Sequence, residues 1–234
     1  MALESIAWIL PYLNIFNTVI TVILNSAPAV AFMGVIKGVD KYDVIPETML
    51  ICNLLNNLGW GCYWHLKNNF MPRLCSAICG TLAAIFGFLY LYYRAEKNCG
   101  KFLAFSLGEV VCILAIGYLC LYVIPLTPFG YGLMVINILM YIAPAQNLGR
   151  VFKEKNYKLI PIASTLAGAV CSAGWLLFAI ISSDINCGVP NGIGVVSSIF
   201  TAAVYAYYRS VAKKEDKEEE GQELVEKNDT PEKA

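Results

Sequence analysis

The chain has 234 residues, of which 58% are hydrophobic and 15% are charged, and its formal net charge is zero. This composition is too apolar for a soluble globular protein of that length. Most of the chain must therefore lie in lipid, and we expect no nucleic-acid partner.

Runs of about 20 mostly apolar residues can cross a bilayer as helices. Seven such runs follow one another, at 7–29, 44–65, 71–93, 102–125, 129–149, 158–182 and 189–209. The first run has no basic start and carries Glu4, and it is longer than the core of a secretory signal, so we interpret it as a span. The sequence predicts an all-α membrane protein with seven transmembrane helices.

Basic residues mark one side of the membrane. The connections after the first, third and fifth spans contain Lys37, Lys41, Arg94, Lys97, Lys101, Arg150, Lys153, Lys155 and Lys158. The opposite connections contain only Lys67 and Arg73. By the positive-inside rule, the amino terminus faces outward and the carboxyl terminus faces the cytosol. The plasma membrane is the default location, with an internal membrane as the alternative.

The chain repeats itself. Residues 27–37 return at 143–153, and a GlyTrp pair ending at Trp60 returns at Trp175. Three spans form each copy, and because three is odd, one extra crossing is needed for the second copy to start on the same side. This predicts two parallel three-helix bundles joined by an inversion helix, a 3+1+3 plan. The boundaries are 1–94 for the first repeat, 95–127 for the linker helix, 128–210 for the second repeat and 211–234 for a disordered cytosolic tail.

The tail is predicted to be disordered from its composition. From Lys213 onward it has five lysines against nine acidic residues and few aliphatic positions, so it cannot bury enough surface to fold.

The linker helix contains Glu109, and a carboxyl group within a membrane span suggests a functional role by default. Proton coupling is one interpretation, and a neutral carboxyl or one that reaches the interface is the alternative.

Polar residues of the repeats indicate a central pocket. Asn57 and Ser172 lie three residues before Trp60 and Trp175, and therefore on nearly the same helix faces. The repeat offset also carries Asn191 onto a hydroxyl residue, Ser76. A sugar offers hydroxyls at its rim and apolar CH faces, so it needs hydrogen-bonding groups and flat aromatic surfaces without acid, base or nucleophile. These residues predict a neutral sugar site, with no metal or other cofactor.

Three segments carry a resemblance to a known family. ValIleAsnIleLeuMetTyrIleAlaPro at 135–144, Trp175 and ProAsnGlyIleGly at 190–194 resemble the second repeat of the SWEET sugar transporters, also called the MtN3/saliva family. The resemblance implies that Asn191 and Trp175 are pocket residues. It places Ser76 where the family usually has a second asparagine, and Trp60 at a pocket position of variable type.

The resemblance also implies gating residues. Four prolines match the family's inner gate hinges, namely Pro28, Pro46, Pro144 and Pro161. Each removes a backbone donor and loosens the helix there. Pro46 and Pro161 can equally start helices. Tyr63 resembles the family's outer-gate tyrosine, and a place in the interfacial aromatic belt is the alternative.

The predicted function is that of a bidirectional facilitative transporter, not an enzyme. It would carry a mono- or disaccharide by alternating access, and it could form a homo-oligomer. A first alternative is a proton-coupled amino-acid carrier of the PQ-loop type, which should show ProGln pairs and a carboxylate within the repeats. A second alternative is a non-transporting sorting receptor of the same shape.

Overall fold

The computed structural model describes residues 4–42, 45, 47–96, 98–142 and 145–229 of the chain. In these residues the regular secondary structure is helical. The α-helices are α1 Leu10–Asn25, α2 Pro28–Ile36, α3 Glu47–Leu66, α4 Phe70–Arg94, α5 Cys99–Tyr118, α6 Leu126–Ile142, α7 Ala145–Glu154, α8 Ile162–Ser182 and α9 Ile185–Asp229. Short 3₁₀ turns cover Glu4–Ile9 and Tyr157–Leu159, and a π turn covers Leu119–Val123.

Five helical stretches are long and apolar enough to cross a membrane by length and composition, namely Ile6–Ile36, Phe70–Arg94, Cys99–Val123, Ile162–Ser182 and Ile185–Lys214. The helices α3 and α6 complete the seven spans. Three asparagines, Asn53, Asn56 and Asn57, make α3 less apolar than the others. The apolar part of α6, Leu126–Met140, is shorter than the five long stretches. The all-α transmembrane fold predicted from the sequence is confirmed.

The helices pack as two equivalent units with a linker helix between them. In the first unit, α4 packs against both α1 and α3, and in the second unit α9 packs against both α6 and α8. The linker α5 lies on the outside of the first unit, where it contacts α3 and α4. This is the 3+1+3 arrangement, in which α6, α8 and α9 repeat the packing of α1, α3 and α4.

The interface between the units has the same symmetry. It consists of α1 against α8 on one side and α6 against α3 on the other. At each crossing a glycine lets the partner helix approach closely: Gly174 lies against Asn17, and Gly59 lies against Leu133. A Cβ atom at either glycine would clash with the facing side chain. The GlyTrp pairs of the repeat therefore mark a close contact between the units at each of the two crossings.

Three apolar clusters form the core. The largest, here called the shared cluster, takes residues from both units and includes Trp60, Tyr63, Phe129 and Phe178. The other two clusters each belong to one unit, one around Phe32, Phe86 and Tyr90 and the other around Leu148, Val151 and Ile160.

Two features of the helices bear on the sequence predictions. The first span is interrupted after Asn25 and continues from Pro28, which is buried at the first position of α2. At the other end of the chain, α9 continues to Asp229, so residues 211–229 are helical where the sequence predicts a disordered tail. Glutamate, lysine and glutamine are strong helix formers, which allows the charged segment to extend the helix that precedes it.

Candidate functional site

Trp175 ties the second unit to α1 near the middle of the bundle. Its indole Nε1 donates a hydrogen bond to Thr21 Oγ1 at 2.9 Å, and the same hydroxyl lies 3.3 Å from Cys171 Sγ. The ring also packs edge-on against Phe178, with 5.6 Å between ring centroids. Trp175 is half-buried, so part of the indole stays open for contact. Its orientation is thus set by a polar contact across the interface between the units.

Trp60, the repeat partner of Trp175, is buried within the shared cluster. It stacks on Trp64 with 5.7 Å between centroids and meets Tyr63 edge-on at 5.3 Å. Trp175 packs at the border of the same cluster. The structure therefore brings the two predicted pocket tryptophans together, but their surroundings differ, because one is enclosed by aromatic rings and the other faces polar side chains of α1.

The carboxamide of Asn57 joins α3 to α1. Its Nδ2 lies 3.1 Å from Asn25 Oδ1, 2.8 Å from the Asn53 carbonyl oxygen and 3.0 Å from Asn53 Oδ1. Asn57 also lies beside Gly80 of α4, where a Cβ would be 3.6 Å from that of Asn57. Asn57 is therefore buried among all three helices of the first unit, with Asn25 and Asn53 as its polar neighbours.

Asn191 and Ser76 occupy equivalent places in the two units, and both are buried, at 5% and 8% exposure. Asn191 Nδ2 donates a hydrogen bond to the Cys187 carbonyl oxygen at 2.8 Å. Ser76 lies beside Gly61 of α3. Ser172, at the position in α8 equivalent to Asn57, is 1% exposed. Five of the six predicted pocket residues are thus buried and Trp175 is half-buried, and their contact with a substrate stays a prediction.

One end of the bundle is closed by a polar network between the units, here called the Asp184 end. The buried carboxylate of Asp184 accepts hydrogen bonds from Tyr63 Oη at 2.9 and 3.1 Å and from Lys67 Nζ at 2.9 Å. Asn186 Nδ2 donates to Tyr63 Oη at 3.2 Å, and the Cys187 amide donates to Asp184 Oδ1 at 3.0 Å. Tyr63 and Lys67 come from the first unit and the other groups from the second, so the network bridges them.

The hydrogen bond from Lys67 to Asp184 raises the pKa of the Lys67 amine above its ordinary value of 10.5. Because the amine pKa is raised in the folded protein, the ion pair contributes its full stabilisation to this closed end below pH 10.5. That stabilisation is lost only as the pH rises through the raised pKa. The closure is therefore insensitive to pH across the physiological range.

The opposite end, here called the Glu47 end, is built differently. Its apolar clusters are separate, one in each unit. Its ion pairs in the described chain also stay within a unit: Arg94 pairs with Glu47 in the first, and Arg150 pairs with Glu154 in the second at 3.1 Å. The described residues thus bond the two units to each other at the Asp184 end, and at the Glu47 end they form apolar clusters and ion pairs within each unit.

The predicted hinge prolines fall in different settings. Pro28 begins α2 at the break in the first span, as a hinge there requires. Pro161 is exposed and precedes α8, where its carbonyl oxygen accepts a hydrogen bond from the Thr165 amide at 3.0 Å, so it starts a helix. Pro46 and Pro144 lie outside the described residues. A hinge role for any of these prolines stays a prediction.

Sequence reasoning missed a polar stripe on α1. Asn14, Asn17, Thr21 and Asn25 follow one another at spacings of three, four and four, which places them on one helix face. Asn17 is fully buried, and neither of its side-chain polar atoms has a hydrogen-bond partner in the described chain. The spacing was visible in the sequence. The roles of Asp184, Lys67 and Asn186 were not, because they depend on partners about 120 residues away.

Comparisons with known proteins agree with this architecture. Residues 127–213 match a family model described as sugar efflux transporter for intercellular exchange. The chain is 31% identical over 168 residues to the sugar transporter SWEET1 of Xenopus laevis, covering 70% of this chain and 76% of that protein. The chain belongs to the SWEET family. SWEET proteins are transporters rather than enzymes, and this one is an integral membrane protein.

Two further SWEET relatives support the assignment along most of the chain. The bidirectional sugar transporter SWEET1a of Oryza sativa subsp. japonica is 23% identical over 206 residues, covering 85% of this chain and 75% of that protein. The 3.7 Å structure of a eukaryotic SWEET transporter superposes with a TM-score of 0.74 at 20% identity, over 86% of this chain and 97% of that one. The structural likeness establishes a shared fold.

Proposed function

We propose that this SWEET protein is a bidirectional facilitative sugar transporter, a uniporter that works by alternating access around a central neutral pocket. The observation that carries the proposal is the unequal bonding of the two units. They share hydrogen bonds and an aromatic cluster at the Asp184 end, whereas their clusters at the Glu47 end are separate. A carrier that is closed at one end while the other can open has this arrangement.

Transport then proceeds by rocking of one unit against the other. As the Glu47 end closes, Tyr63 and Lys67 release Asp184 and the Asp184 end opens. The close glycine contacts at Gly59 and Gly174 lie between the ends and serve as the fulcrum. The break before Pro28 lets the end of the first span move without disrupting the rest of the helix.

The sugar binds between the units, and the pocket residues have distinct roles. Asn191 and Ser76 offer hydrogen bonds from the two units, and Asn57 and Ser172 extend the polar lining. Trp175 supplies a flat surface for a CH face of the ring, and Trp60, which is enclosed by aromatic rings in the described conformation, offers its surface once the Asp184 end opens. Affinity is weak, because each sugar hydroxyl exchanges one hydrogen-bonded environment for another with little net gain.

Orientation and location follow from the basic residues. The Glu47 end carries the lysine- and arginine-rich connections, so it faces the cytosol and the Asp184 end faces outward. The described conformation is therefore closed to the outside. The plasma membrane is the proposed location.

The proposal is tested with purified protein in proteoliposomes. Uptake and efflux of a panel of labelled mono- and disaccharides should follow the sugar gradient in both directions, and an imposed proton gradient should leave the rates unchanged. Accumulation driven by the proton gradient and abolished by Glu109→Gln would instead support the coupled carrier. Absence of flux for all sugars in folded protein would contradict transport of this cargo.

A further inference from the structure

A cavity lies outside the interface between the units. It has a volume of about 400 Å³ and is lined by α3, α4 and the linker α5. Pockets of several hundred Å³ are the size that small-molecule ligands occupy. Its walls are mostly leucine, isoleucine, alanine and glycine, so the ligand that fits it has a largely apolar body. The proposed sugar path does not use this cavity.

The cavity has an acidic wall and no basic one. Two carboxylates line it, Glu47 and Glu109, and its described lining has no lysine, arginine or histidine. Glu47 already pairs with Arg94, which lies at the same end of the cavity. Glu109 differs, because its Oε2 is buried without a hydrogen-bond partner in the described chain.

The position of the Glu109 carboxyl is fixed by its neighbour. Glu109 lies about 15 Å along α5 from Cys99, too deep for its short side chain to reach the interface. Its Oε1 packs on Gly87 of α4, where a Cβ would clash with it. Ser106 lies one turn away on the same face of α5, and its hydroxyl is also buried without a partner. Two buried oxygens, one of the Glu109 carboxyl and one of the Ser106 hydroxyl, thus lie about one turn apart without a hydrogen-bond partner in the described protein.

We propose that this cavity binds a lipophilic amine, with its ammonium group against Glu109 and its apolar body between α3, α4 and α5. An isolated carboxylate at membrane depth is costly, and an ammonium ion both neutralises it and donates up to three hydrogen bonds. The outer face of α5 is exposed, with Leu107 and Leu114 at 63% and 67%, so the ligand enters from the bilayer. Bound there, it holds the linker against the first unit.

The probe is tritiated dodecylamine, measured by equilibrium binding to the full-length protein in nanodiscs, with empty nanodiscs as background. Saturable binding of one molecule per chain is expected. Glu109→Gln keeps the side-chain size, and it should weaken binding about tenfold or more through loss of the charge pair. Dodecanol, which has the same tail without the charge, should compete poorly.

A second pair of variants tests the location of the site. Leu54→Trp places a large ring inside the cavity and should abolish binding, whereas Leu114→Trp on the outer face of the linker should leave it unchanged. Equal binding of dodecanol and dodecylamine, or undiminished binding to Glu109→Gln, would overturn the proposal and indicate a cavity filled by an acyl chain only. No sugar is involved, so this outcome is independent of the transport function.

Discussion

The two three-helix units share a backbone design but differ in the polar groups that they bring to their interface. Gly174 and Gly59 allow the same close approach, yet the first meets an asparagine, Asn17, and the second meets Leu133. At one pair of predicted pocket positions the inequality is reversed, since the second unit has an amide at Asn191 and the first a hydroxyl at Ser76. The two units have therefore kept the same points of close contact, whereas the hydrogen-bonding side chains at equivalent positions differ between them.

Closure of the Asp184 end is similarly one-sided. Tyr63 and Lys67 of the first unit bond Asp184 of the second. At the equivalent positions of the other unit the repeat places Phe178 and Ser182, which cannot form the same bonds. A single carboxylate thus receives most of the polar closure, which makes the closure sensitive to one substitution.

The largest effect is expected in the second unit's half of the pocket. Asn191→Ala and Trp175→Ala should each reduce sugar flux by between about 30-fold and 100-fold, the equivalent of roughly 2–3 kcal/mol of lost binding to the buried amide or the half-buried indole. Initial rates of labelled hexose uptake into proteoliposomes provide the measurement. Leu177→Ala, on the exposed face of α8, is the matched control and should transport normally. Normal flux through both pocket variants would mean that the pocket is elsewhere.

The next effect concerns the one-sided closure. Asp184→Asn should weaken the closed end by about 2 kcal/mol, mostly through the hydrogen bond from Tyr63, since Lys67 is 39% exposed and its ion pair contributes less. Cys187 is 3% exposed beside Asp184, so its modification by a maleimide reports opening of this end. The labelling rate, followed by mass spectrometry, should rise about 30-fold.

Tyr63→Phe is the graded comparison for that experiment. It removes the hydroxyl and leaves the Lys67 pair, and the expected loss is about 1.5 kcal/mol, which should give an intermediate labelling rate. If Asp184→Asn and the unaltered protein label at the same rate, the network does not close this end.

Much of the fold could be predicted from the sequence, because hydrophobic spans and a duplicated pattern are local signals. The inward position of Trp60 and Asn191 was expected from the repeat, whereas a role for Tyr63 was implied only by the family resemblance. The stripe containing Asn17 and Thr21 was overlooked because it lies in a run whose average is strongly apolar. In a membrane helix such polar residues lie against protein, so their spacing is informative even when the mean hydropathy is high.

The partners of the site could not be predicted from local patterns. In the sequence alone, Asp184 is a carboxylate in a loop, and only the fold shows that Tyr63 lies beside it. Glu109 is likewise an isolated charge in the sequence, and only the packing of α5 shows that it lies next to Gly87. Helix continuation beyond residue 211 was missed for a different reason. Disorder was predicted because a segment of low hydrophobicity cannot bury enough apolar surface to fold. That argument leaves out the helix propensity of the charged residues themselves.

Asn17 has a leucine, Leu133, as its counterpart in the second unit. Its replacement should have a smaller effect of opposite sign, a gain in stability. Asn17→Leu copies the residue that the second unit uses at this crossing, and it should stabilise the described conformation by about 1–2 kcal/mol by removing a buried amide without partners. Thermal unfolding in detergent should show a higher Tm, and sugar exchange should slow because the conformation closed at the Asp184 end is favoured. The reciprocal Leu133→Asn should lower the Tm. A lower Tm for Asn17→Leu would show that the amide has a partner after all.

The smallest effect tests the remaining difference between the units. Ser76→Asn gives the first unit the amide that the second has at Asn191, and it replaces one hydroxyl with a group that offers two donors and one acceptor. Gly61, beside Ser76, has no side chain and leaves room for the longer residue. We expect less than about 1 kcal/mol of change for any one sugar, so relative uptake in a mixed panel of mono- and disaccharides should shift by a few-fold. Since the proposed pocket places Ser76 and Asn191 on opposite sides of the substrate, the shift should vanish when Asn191→Ala is added. Unaltered selectivity in the single variant would place Ser76 outside the pocket.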